Sequence, residues 1–125
     1  MISASIKAEK YKTVVTGSGH EVVVDEPFDL GGMNTGFTPL ELLSGSLASC
    51  VAITLRMYAD RKKWQVDEIK VDVEVLDLLI KKTIYISGNL DETQLTRLSA
   101  ISANCPIGKI LGQANIIETI IFNQE

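Results

Sequence analysis

Nucleophiles and bases are scarce in this chain of 125 residues, which carries one histidine, His20, and two cysteines, Cys50 and Cys105. One His with two Cys cannot complete a tetrahedral zinc site without a carboxylate, and no C-x-x-C or H-x-x-x-H pair is present, so no structural metal is expected. A papain-like Cys-His pair lacks any supporting local pattern. Basic charge is also short: 12 Lys and Arg stand against 16 Asp and Glu, for a net charge of -4 and a pI near 5.0. That balance leaves no basic field for a phosphate backbone, so nucleic acid is not an expected partner. The opening MISASIKAEKYK has no apolar core of signal-peptide length, and no apolar run reads as long enough to span a bilayer. The expectation is a cytoplasmic protein with no membrane partner. In that reducing compartment two cysteines far apart in sequence are either buried spectators or reactive thiols, not a permanent staple.

Apolar residues are not scarce. At 46% hydrophobic and 22% charged, the chain is expected to form a single domain over residues 1–125 with a substantial core. Its organising stretch runs from Gly36 to Trp64, GFTPLELLSGSLASCVAITLRMYADRKKW. Thr38 can cap a helix, Pro39 suits the first helical position and Glu41 closes a capping box, while nothing stops the helix before Lys62-Lys63-Trp64. About 25 residues make a rod of roughly 37 Å, long enough to cross the whole domain. On a helical wheel Cys50 falls on a stripe with Leu43, Ser46, Leu47, Ile53, Thr54 and Met57. The opposite stripe collects the small residues Gly45, Ala48, Ala52 and Ala59. This pattern predicts a helix buried on both sides, with the Cys50 thiol in a packed face and the small residues against a second backbone, that of another copy included.

Around this helix the chain reads as follows. Ile2–Lys10, Lys12–Thr16 and His20–Asp25 alternate as strands, with Gly17-Ser18-Gly19 as a turn, and Glu26–Gly36 is a loop. Glu68–Asp77 alternates cleanly, with Ile69, Val71, Val73 and Val75 on one side. Thr83–Leu90 returns as the next strand, leaving Leu78–Lys82 as an apolar tip suited to a partner contact. Asp91 with Gln94 starts a helix that places Leu95, Leu98 and Ile101 on one face, with Asn104 as a left-handed stop. Cys105-Pro106 opens a short helix ending near Gly112, and Asn115–Phe122 closes the chain as a strand. The fold class is α+β with a mainly antiparallel sheet.

On local grounds Cys105 has the better case for reactivity, because a thiol at a helix mouth faces free amides and Lys109 adds a cation one turn on. Cys50, mid-helix on an apolar stripe, needs a donor or cation brought to it before it ionises.

The stretch GFTPLELLSGSLASC, the Asp25–Gly32 segment and the downstream NCPIGKIL resemble the osmotically inducible protein C and organic hydroperoxide resistance (OsmC/Ohr) family, in its divergent OsmC-like branch. The resemblance covers most of the chain and implies an intertwined homodimer with paired central helices and a site at the subunit interface. It further implies a thiol peroxidase, in which Cys50 attacks an organic hydroperoxide, Cys105 resolves the sulfenic acid as a disulfide, and a dithiol such as a lipoyl protein restores both thiols. No cofactor is called for. Two positions depart from the family pattern: Leu40 stands where the peroxidases carry a glutamate after the proline, and no arginine precedes Arg56. Two other readings stay open, a non-peroxidatic dimer binding a small apolar or thiol metabolite and a thiol redox sensor.

Overall fold

The computed structural model describes residues 1–122. Its elements are β1 (Ser3–Ile6), β2 (Thr13–Gly17), β3 (His20–Val24), α1 (Pro39–Lys62), β4 (Val66–Leu76), β5 (Leu79–Gly88), α2 (Glu92–Ile101) and α3 (Pro106–Leu111), an α+β order. By their contacts these residues divide into two compact units. One comprises Met1–Ala48 with Asp72–Thr83, and the other comprises Ser49–Val71 with the chain from Ile84 onward.

In the first unit β1, β2 and β3 form an antiparallel meander in that order. Ser18 and Gly19 both take positive φ, 53° and 79°, between the paired residues Gly17 and His20. This is the two-residue hairpin connection whose twist matches that of its strands. The first strand is shorter than its alternation predicts, because pairing ends at Ile6 against Thr13. Beyond β3 the chain is gathered by Asp25, a carboxylate only 2% exposed. It accepts the Tyr11 amide (3.1 Å) and the Glu26 amide (2.7 Å) on one oxygen, and the Thr35 amide (3.2 Å) and hydroxyl (2.5 Å) on the other. The Thr35 hydroxyl is the largest cause that holds its pKa near 2, against the opposing cost of burial. Phe37 then bridges Val24, and a Cβ at Gly36 would run into the Val23 carbonyl, so only glycine permits this approach.

Helix α1 starts as expected: Glu41 N donates to Thr38 Oγ1 at 3.1 Å and Thr38 N donates to Glu41 Oε1 at 2.9 Å. It ends in a Schellman motif. Lys63 turns left-handed at φ 59°, its amide donating to Asp60 O and that of Trp64 to Ala59 O. Trp64 then meets Tyr58 edge to face, ring centroids 5.6 Å apart, which supplies the apolar contact that usually accompanies this motif.

The second unit holds most of the core: Val51, Leu55, Tyr58, Ala59, Val66, Leu98, Ile101 and Cys105 are buried. Arg97 Nε donates to the Tyr58 hydroxyl at 2.9 Å, which ties α2 to α1 and lowers the phenol's pKa. Helix α2 has the expected capping box between Asp91 and Gln94. Leu98 and Ile101 are buried as predicted, whereas Leu95 is 41% exposed.

Five expectations are corrected. The stripe bearing Cys50 is only partly packed within the chain: Leu47 is buried, but Leu43, Ile53 and Met57 are 41%, 54% and 61% exposed, and the rest of the buried face is Val51, Leu55 and Tyr58. A helix apolar on every side gives its sequence no direction to point. Asn104 is not a left-handed stop but lies in a 3-10 turn, Ser102–Asn104, that continues α2. The tip of the β4–β5 hairpin is Asp77-Leu78, with Asp77 at φ 51°, so Leu79–Lys82 belongs to β5. The strand over Asn115–Phe122 does not form, and Ile116, Ile117 and Ile121 stand about nine-tenths or more exposed. A strand needs a neighbour to take its amides and carbonyls, and alternation alone does not provide one. Finally, Pro39–Lys62 is, by length and composition, long and apolar enough to cross a membrane. Within the chain 22% of its most apolar window is buried, Leu47, Val51 and Leu55 among the buried residues of the helix.

Candidate functional site

Both cysteines belong to the second unit, and each is a cause of the other's shifted pKa, so the fold sets the two thiols within reach of one another's influence. Each is a free thiol. Cys50 sits on α1 and is half-buried, while Cys105 is fully buried as the residue that caps α3.

Cys105 reaches this position because Pro106 fits the first helical position and has no amide to satisfy. Its own φ and ψ are extended, -61° and 123°, and its sulfur accepts the Gly108 amide at 3.4 Å. The sequence argument that a helix mouth would make this thiol the acidic one does not hold. Burial raises its pKa, the bond to Cys50 raises it further, and the Gly108 amide recovers only part of that. Lys109 is not among the leading contributors.

Cys50 shows the reverse. Burial opposes its ionisation, but the thiol of Cys105, the amide of Ile107 and the hydroxyl of Thr54 all donate to it and outweigh that cost, so its pKa is lowered. The Thr54 hydroxyl also donates to the Cys50 carbonyl one turn back, at 2.8 Å. Among the described residues no charged side chain is a cause of the lowered pKa of Cys50. Arg56, the first arginine of the chain, is spent elsewhere: its Nη1 donates to Val66 O at 2.9 Å and lies 3.9 Å from Asp60.

One short segment, Cys105 to Gly108, therefore bears on the ionisation of both thiols, lowering the pKa of Cys50 while burial raises that of Cys105. A pair so differentiated suits a nucleophile and the thiol that later condenses with it. Sequence reasoning singled out both cysteines but not Thr54 or the Ile107 amide, which also bear on the pKa of Cys50. A threonine four residues after the cysteine on one helix was the available signal, since that spacing stacks the two side chains. Among the described residues no cluster of three or more His, Cys, Asp or Glu is placed to hold a metal ion.

The family model for OsmC-like proteins matches residues 32–120, a span that contains both cysteines and α1 through α3. The chain belongs to the OsmC-like family. Solved structures agree in fold at low identity. An OsmC-like protein from Mycoplasma pneumoniae superposes with a TM-score of 0.73 at 20% identity, covering 90% of this chain and 86% of that one. A protein from Psychrobacter arcticus 273-4, described by osmotic stress induction and a detoxification response, gives 0.74 at 21% identity over 87% and 85% of the two chains. An organic hydroperoxide resistance protein from Legionella pneumophila gives 0.59 at 17% identity over 89% and 87%. At these identities the likeness shows the OsmC-like fold alone. No curated protein sequence matches the chain.

Proposed function

We propose that this OsmC-like protein is a thiol-dependent peroxidase that reduces organic hydroperoxides in the cytoplasm, with Cys50 as the attacking thiolate and Cys105 as the resolving thiol. The observation that carries the reading is that both cysteines lie in one compact unit and act on one another's ionisation, with the pKa of Cys50 lowered and that of Cys105 raised. The Cys50 thiolate attacks the terminal oxygen of the hydroperoxide, the O–O bond breaks, and the alkoxide leaves and takes a proton from water. Cys50 is then a sulfenic acid. The Cys105 sulfur attacks the Cys50 sulfur, the S–O bond breaks, and hydroxide leaves with the Cys105 proton as water. The resulting disulfide is reduced to two thiols by a dithiol such as a lipoyl protein, which is itself oxidised to a disulfide. Hydrogen bonds from Thr54, Ile107 and Cys105 do the work that a guanidinium would otherwise do, which supports activity despite Leu40 and the absence of an arginine before Arg56.

In this reading the working unit is a homodimer. The exposed Ile53 and Met57, on the same side of α1 as Cys50, support it: they are 54% and 61% exposed, so covering each with a second copy would contribute about 1–1.5 kcal/mol. The test uses purified protein with cumene or tert-butyl hydroperoxide and a dithiol reductant. Turnover is expected, together with a Cys50–Cys105 disulfide by mass spectrometry, and Cys105→Ser is expected to stop at a trappable sulfenic acid on Cys50. Absence of both peroxide consumption and the disulfide rejects the proposal.

A second reading has one observation in its favour: among the described residues no charged side chain is a cause of the lowered pKa of Cys50. The protein would then bind a small apolar or thiol-bearing metabolite beside Cys50 without turning over peroxide. Native mass spectrometry showing a bound metabolite, with affinity unchanged in Cys50→Ser, would select it.

A further inference from the structure

Tyr58 follows Cys50 by eight residues on α1, and Arg97 precedes Cys105 by eight. Both intervals are rigid. The first is unbroken helix, roughly 12 Å long. The second runs from α2 through the 3-10 turn Ser102–Asn104 straight to Cys105, roughly 14 Å, with no loop between. Arg97 Nε donates to the Tyr58 hydroxyl at 2.9 Å, so the two rods are joined at one end. Counted from that bond, eight residues back along α1 and eight forward along the second rod reach the two cysteines, as in antiparallel rods of matched length. Each thiol is a cause of the other's shifted pKa, which agrees with this register. The joint itself is firm. Tyr58 is buried, its ring meets Trp64 edge to face at 5.6 Å, and Lys62 Nζ lies 5.7 Å from its centroid. On the second rod Arg97 and Ile101 stand one turn apart on the same side of α2, and Leu98, Ile101 and Cys105 are buried. The Ser102 hydroxyl donates to Ser99 O at 2.6 Å, which stiffens the passage from α2 into the turn.

We propose that Arg97 is a positioning residue for Cys105: its bond to Tyr58 fixes how far α2 slides along α1 and so sets Cys105 opposite Cys50. Apolar burial, as at Leu98 and Ile101, attracts without direction and does not choose among neighbouring registers. A hydrogen bond to a hydroxyl held in place has one geometry, and it does choose. The step this governs is closure of the disulfide, in which the two sulfurs must come to about 2 Å. A slide of one residue, about 1.5 Å along a helix, would spoil that approach. The inference deepens the peroxidase reading and rests on Cys105 being its resolving thiol.

The experiment equilibrates the full-length protein with glutathione buffers and measures, by mass spectrometry after acid quenching, the ratio of Cys50–Cys105 disulfide to dithiol. Two protein thiols are oxidised as one oxidised glutathione is reduced to two thiols, so the equilibrium constant is the effective concentration of the two cysteines. Peroxide turnover is measured on the same preparations. Arg97→Met, which keeps the apolar stem, and Tyr58→Phe, which keeps the ring, are each expected to lower that concentration about fivefold, the net worth of one hydrogen bond. The double variant is expected to fall no further than either alone, because both remove the same bond. Arg97→Lys returns a charged donor and is expected to come within about twofold of the parent. A merely structural role would weaken the dithiol and disulfide forms alike and leave this equilibrium unmoved. Should Arg97→Met not fold, Tyr58→Phe against the parent carries the test. An effective concentration unchanged in either single variant overturns the proposal. So do single effects that multiply in the double variant, a lysine variant that behaves as the methionine does, or a parent protein that forms no disulfide between the two cysteines. If the effective concentration falls as expected while the parent turns over no peroxide, the peroxidase reading fails and the role of Arg97 stands.

Discussion

Cys105 is sealed from water, and its sulfur accepts the Gly108 amide at 3.4 Å as the cap of α3. Cys105 and Cys50 also act on one another's ionisation, the pKa of Cys50 being lowered and that of Cys105 raised. The cap of α3 is thereby tied to the chemistry of α1, and the two thiols are made unequal.

The inequality can be read by alkylation. At neutral pH Cys50 is expected to react well before Cys105, and Cys105→Ala to slow Cys50 by roughly tenfold through the loss of one bond to a charged sulfur. Equal rates for the two thiols, or a Cys50 indifferent to Cys105→Ala, would contradict it. Stability should follow in the alkaline range. A folded pKa raised above the unfolded value favours the folded state below that value, near 9.0, and the benefit is lost as pH rises through the folded one. Cys105→Ala should therefore flatten the loss of stability above about pH 9, as followed by urea denaturation at several pH values.

Asp25 provides the opposite sign. Its pKa falls from 3.8 to about 2 on folding, so its contribution is present above 3.8 and lost as the pH falls toward 2. The β1–β3 sheet should lose far-UV circular dichroism over that interval in the parent protein. Asp25→Asn, which keeps the shape but sets an NH2 group against the donors that now reach a carboxylate, should unfold more readily at pH 7 and lose that acid dependence.

The end of α1 and the core offer a stability pair. Lys63→Gly removes the penalty of a side chain at φ 59° and should stabilise by about 1 kcal/mol after the extra freedom of the unfolded glycine is counted. Leu98, fully buried, should cost about 2–5 kcal/mol on replacement by alanine. Chemical denaturation midpoints measure both, and a destabilising Lys63→Gly would show that the left-handed turn is not where the strain lies.

The exposed side of α1 bears on assembly. Ile53→Glu and Met57→Glu place charge on the surface expected to meet a second copy, and each should turn a dimer into a monomer by analytical ultracentrifugation, with little change in the monomer's fold. A parent protein that sediments as a monomer would remove the dimer from the proposed function.

Much of the architecture was legible because its signals are local. Thr38 with Glu41, Asp91 with Gln94, Ser18-Gly19 and Cys105-Pro106 each satisfy amides or fit backbone angles within a few residues, and each behaves as its sequence says. Three things were decided only by the tertiary structure. Which face of α1 is buried depended on what packs against it, since an all-round apolar helix presents Val51 and Cys50 as equals. Whether Asn115–Phe122 is a strand depended on a neighbour that this chain does not set beside it. The order of the two thiol acidities reversed because desolvation and hydrogen bonding act across space: a helix mouth that favours a thiolate in isolation favours the one opposite when its own cysteine is sealed from water.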